Sequence, residues 1–73
     1  GRTDNILQGL SKRYKDGKKI FIDGLTVEYP DWWFNARRSE TEPLLRLNIE
    51  AAKKSLLEEK IKELTTFVNK YQH

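Results

Sequence analysis

Two short segments alternate apolar and polar residues in the manner of half-buried strands. Trp32 to Arg37 puts Trp32, Phe34 and Ala36 on one side and Trp33, Asn35 and Arg37 on the other. Leu44 to Glu50 puts Leu45, Leu47 and Ile49 against Leu44, Arg46, Asn48 and Glu50. A slip of one residue would turn the arginines into the core, so the register of these strands is strongly specified. Arg37 and Arg46 are thereby expected on one polar face with Asn35 and Asn48. Trp33 shares that face. Packing against a loop or another domain is the preferred reading of this residue, ahead of a sugar-stacking platform.

The flanking sequence supplies the remaining elements. Lys18 to Ile22 and Leu25 to Tyr29 read as strands joined by Asp23-Gly24, a dipeptide suited to a hairpin turn with positive φ at both central positions. Turn formation is a sufficient role for Asp23. Asn5 to Lys15 carries Ile6, Leu7, Leu10 and Tyr14 at helical spacing, with Thr3 or Asp4 as its cap and Gly17 as its stop. Ser55 and Glu58 form a capping-box pattern before a helix from Leu56 to Lys70. Leu57, Ile61, Leu64, Val68 and Tyr71 make its apolar stripe, widened by Leu56 and Phe67. The order predicts an α+β fold: a four-stranded antiparallel sheet with the N- and C-terminal helices packed on one face.

Composition narrows the chemistry. A chain of 73 residues makes one small domain and leaves little room for a catalytic cleft. The absence of cysteine excludes disulfides and thiolate metal sites, and the one histidine is the last residue. No apolar run approaches the roughly 20 residues that span a bilayer, so no membrane partner and a cytoplasmic setting are expected. Fourteen basic against eleven acidic residues give a formal charge of +3, which suits an anionic ligand without demanding nucleic acid. The alternative is a small nucleic-acid-binding or protein-interaction module. Against base stacking, Trp32 and Phe34 share the expected core face.

The residues between the two alternating strands carry the binding chemistry. Asn35-Ala36-Arg37-Arg38-Ser39-Glu40-Thr41-Glu42-Pro43 gathers two arginines, two hydroxyls and several backbone N–H groups. Guanidinium holds phosphate through paired hydrogen bonds, and a turn can aim successive N–H groups into one concavity. Pro43 holds Glu42 toward extended backbone at re-entry into a strand.

The pattern Arg37-x-Ser39-x-Thr41-Glu42-Pro43, followed by Leu44-Leu45-Arg46-Leu47 and Glu50-Ala51, resembles the signature of the alpha-D-phosphohexomutases, the phosphomannomutase and phosphoglucomutase enzymes. Asp23-Gly24 and Trp33-Phe34-Asn35 match the same family upstream. The resemblance covers roughly Asp23 to Tyr71. It implies the C-terminal domain, last of four, with a TBP-like α+β fold. It also implies that Arg37, Ser39, Glu40 and Thr41 line the site for the non-reacting phosphate of mannose or glucose 1- or 6-phosphate. The loop then helps close the active site during phosphoryl transfer between C1 and C6. Arg38 and Arg46 are accessory cations. Arg38 either strengthens the field or faces solvent, and Arg46 is read first as an ion-pair partner of Glu42 or Glu50. Glu40 departs from the family, which has glycine or asparagine there. No catalytic or metal-ligating set is legible in the chain. The resemblance places the phosphoryl-carrying serine and the magnesium in other domains, so the chain alone is expected to be inactive.

Overall fold

The predicted succession of helix, four strands and helix is the observed one. A computed structural model describes residues 2–39 and 45–70. It contains α1 (Arg2–Arg13), β1 (Lys18–Ile20), β2 (Leu25–Glu28), β3 (Trp32–Arg38), β4 (Leu45–Ala51) and α2 (Lys54–Lys70). The strands form one antiparallel sheet in the order β1-β2-β3-β4. Leu44 and Tyr71, expected to belong to β4 and the apolar stripe of α2, lie outside the described residues.

Both helices cover the same side of the sheet. Leu25, Val27, Trp32, Phe34 and Ala36 form one buried cluster with Ile6, Leu10 and Tyr14 of α1 and its exit, and with Leu64 and Val68 of α2. Phe34 and Leu10 are its largest fully buried side chains. Aromatic edges lock the centre. The Tyr14 ring meets Trp32 at 5.6 Å and Phe34 at 5.1 Å in edge-to-face geometry, while Tyr29 stacks on Trp32 at 5.1 Å.

Three local expectations are corrected. The β1–β2 hairpin is shifted by one residue. Asp23 and Gly24 have the expected positive φ, 55° and 92°. However, Ile20 pairs with Thr26 and Lys19 with Val27, so Phe21 and Ile22 fall in the turn. They are 70% and 76% exposed. Lys19 lies on the helix side, where its Nζ donates to the carbonyl of Lys15 at 2.9 Å. The anchor is Gly17. A Cβ there would stand 2.4 Å from Val27 Cγ1 and 2.9 Å from Tyr29 Cζ, so the chain enters β1 pressed against β2. That close approach accompanies the observed register.

Both helices also begin earlier than predicted. Asp4 lies in the first turn of α1, where it pairs with Arg38 rather than capping the helix. The first turn of α2 is closed by the Leu57 N–H donating to the Lys53 carbonyl, which puts Ser55 inside the helix. The apolar stripe of α2 is rotated as well. Ile61 is 44% exposed, and Lys60 takes the inner position with its ammonium 4.8 Å from the Trp32 ring centre.

Candidate functional site

The open face of the sheet is polar because alternation leaves it so. β3 contributes Trp33, Asn35 and Arg37, and β4 contributes Arg46, Asn48 and Glu50. Their register is Trp33 with Glu50, Asn35 with Asn48 and Arg37 with Arg46. The predicted grouping of the two arginines with the two asparagines is therefore observed. Trp33 is half-buried and donates from Nε1 to Glu50 Oε2 at 3.1 Å. That bond uses the Glu50 carboxylate, and Arg46 forms no ion pair with a described residue. Glu42, its other expected partner, lies outside the described residues. Trp33 is also the one aromatic residue on this face among the described strand residues, which leaves no row of rings for successive bases.

Arg37 and Arg38 diverge, as neighbours on a strand must. Arg38 turns toward the helices, where its Nη2 lies 2.6 Å from Asp4 Oδ1. Its side chain remains 60% exposed, so it pairs with Asp4 while still facing solvent. Arg37 stays on the open face, with Nη1 3.0 Å from Asp23 Oδ2. Its side chain is 40% exposed and that of Asp23 is 71% exposed. Exposed ion pairs of this kind contribute about 0–1 kcal/mol. Ser39 follows β3 and is buried. Glu40 and Thr41, the other residues assigned to the phosphate loop, lie outside the described residues.

Asp23 is the residue that sequence reasoning missed. It was legible as a turn former, and its turn reaches the end of the sheet that leads into the loop. Leu25 pairs with Ala36, which places Gly24 against β3. A Cβ on Gly24 would lie 2.4 Å from the Ala36 carbonyl oxygen and 2.8 Å from Arg37 Cβ. Asn35 secures the turn by donating from Nδ2 to the Asp23 carbonyl at 3.3 Å and to Thr26 Oγ1 at 3.0 Å. The Asp23 backbone is thus held by Asn35 while its carboxylate meets Arg37. The Asp-Gly pair upstream of the loop motif signals the turn, and spacing alone does not disclose the contact with Arg37.

Two arginines stand side by side, and one buried hydroxyl-bearing residue marks the start of the loop. Among the described residues, no group of three or more Asp, Glu or His side chains is placed to hold a metal ion. None of the helices among them is long and apolar enough to cross a membrane.

No protein-family model matches the chain. It is similar to a phosphomannomutase of Methanocaldococcus jannaschii, with 38% identity over 65 residues, covering 89% of this chain and 14% of that protein. It is 48% identical over 50 residues to a phosphomannomutase of Vibrio cholerae, covering 67% of this chain and 11% of that protein. A probable phosphoglucosamine mutase of Pyrococcus abyssi shares 34% identity over 55 residues, which is 75% of this chain and 12% of that protein. The chain thus spans between 11% and 14% of the length of these relatives.

Proposed function

Since this chain belongs to the phosphohexomutase family, we propose that it is the C-terminal, substrate-phosphate-binding domain of a longer mutase. That enzyme moves a phosphoryl group between C1 and C6 of a hexose phosphate. This domain holds the phosphate that is not reacting. The observation that carries the reading is the opposed pair Arg37 and Arg46 beside the loop. Like charges directly opposite on one face destabilise a sheet, so their placement favours an anionic ligand.

Arg37 offers paired N–H donors to phosphate oxygens, Ser39 and Thr41 offer hydroxyls, and the backbone from Ser39 through Glu40 to Thr41 offers N–H groups. Arg46 adds positive charge from β4. Binding energy from this remote group orients the sugar and helps close the active site around the reacting end. The acidic residues described in this chain do not fit magnesium. The metal and the phosphoryl-carrying serine are assigned to other domains of the longer protein, so the chain alone has no mutase activity. Its partners are the phosphosugar and those domains.

The test is a two-dimensional amide titration of the chain with mannose 1-phosphate, with mannose as the control at matched ionic strength. Selective shifts at Arg37 to Thr41 are expected with the phosphosugar alone. Equal shifts with both sugars, or none with either, would overturn the reading.

A further inference from the structure

Arg37 has charged groups on both sides. Toward β2 is Asp23, whose Oδ2 lies 3.0 Å from Nη1. Toward β4 is Arg46, directly opposite in the ladder. Repulsion from Arg46 and attraction to Asp23 act in the same direction, so the guanidinium leans onto the turn. A phosphate beside the loop draws both arginines and repels the carboxylate. We propose that Asp23 is a built-in counter-anion that competes with the ligand phosphate for Arg37 and thereby sets the affinity of the site. This inference rests on the phosphate reading above.

The contact is built to be displaced. Asp23 engages one terminal nitrogen of Arg37 rather than clamping a two-nitrogen edge, and both side chains are substantially exposed. A doubly charged phosphate, with more acceptor oxygens and more charge, outcompetes a single carboxylate held in this way. Release of the carboxylate need not open the turn. Asn35 holds the Asp23 backbone carbonyl, not its side chain. Gly24 supplies the second left-handed residue at φ 92°. The turn therefore stays against β3 while Arg37 changes partner.

Asp23→Asn is the discriminating change. Asparagine tolerates positive φ at least as well as aspartate, so the turn is preserved while the charge is removed. Binding of inorganic phosphate at pH 8 is measured by amide titration for the unaltered chain, Asp23→Asn, Arg37→Ala and the double variant, at constant ionic strength. The expected result is about three- to fivefold tighter binding for Asp23→Asn, the scale of an exposed ion pair. The gain should largely vanish when Arg37 is already alanine. Unchanged or weaker binding by Asp23→Asn overturns the competition. So does an equal gain in the Arg37→Ala background, because that reports general repulsion instead. Either result leaves the phosphate reading standing if Arg37→Ala alone weakens binding. If Arg37→Ala binds phosphate as well as the unaltered chain, or the unaltered chain binds none, both ideas fail.

Discussion

Arg37 faces Arg46 directly across the β3–β4 ladder, two like charges on one open face of the sheet. Opposed charges of this kind cost about 0.2–1 kcal/mol. Arg46→Ala is therefore expected to leave the chain equally stable or stabilise it by up to about 1 kcal/mol. The same change should weaken phosphate binding. Urea unfolding and a phosphate titration on one preparation check the two effects. A variant that lost stability and kept its affinity would remove the basis for a site here.

Gly24 is the position where the turn has least latitude. Its φ is 92°, and a Cβ would run into the Ala36 carbonyl. Gly24→Ala is expected to destabilise the chain by at least about 2 kcal/mol, combining backbone strain with that overlap. It should also shift the Arg37 resonances, since the turn carries Asp23. Chemical denaturation and the amide spectrum measure both.

The exposed residues of the hairpin provide a contrast with the core. Phe21→Ser and Ile22→Ser should each change stability by less than about 0.5 kcal/mol in this chain. Phe34→Ala removes a fully buried ring and should cost about 3–5 kcal/mol. Comparable losses at Ile22 and Phe34 would mean that β1 pairs in the register expected from the Asp-Gly turn.

Alkaline pH should unfold the chain through its tyrosines. Burial, followed by donation to Asp16, raises the Tyr29 phenol from 10.0 to about 12. Burial and donation to Glu63 raise Tyr14 further. In each case the native state favours the neutral phenol. Its contribution is fully present below pH 10.0 and is lost as the pH rises through the folded value. The unfolding midpoint should therefore fall between pH 10 and 12. Tyr14→Phe and Tyr29→Phe should each make that fall shallower.

Much of the architecture was legible because it depends on local spacing. The two-residue period of Trp32 to Arg37 assigns Trp32, Phe34 and Ala36 to the core whatever the neighbouring strands do. The same period on β4 places Arg46 with Arg37. The helical spacing of Ile6, Leu10, Leu64 and Val68 marks faces that must be covered, so an antiparallel sheet with both helices on one side follows. Family membership was likewise carried by a short ordered run of residue types around Arg37.

What spacing could not decide was contact between remote segments. The Asp-Gly dipeptide announced a turn, yet β1 pairs with β2 one residue out of the register it suggests, with Gly17 against Val27 and Tyr29 and with Phe21 and Ile22 outside. Lys60 rather than Ile61 turned inward, with its ammonium over the Trp32 ring and 3.5 Å from Glu63. Asp4 and Asp23 read locally as a cap and a turn former. Each became the partner of a β3 arginine only when α1 and the hairpin were brought to the same end of the sheet. The sequence alone determined which residues of β3 and β4 lie on each face of the sheet. Tertiary structure decided which charges meet, because electrostatic partnership depends on distances between segments far apart in the chain.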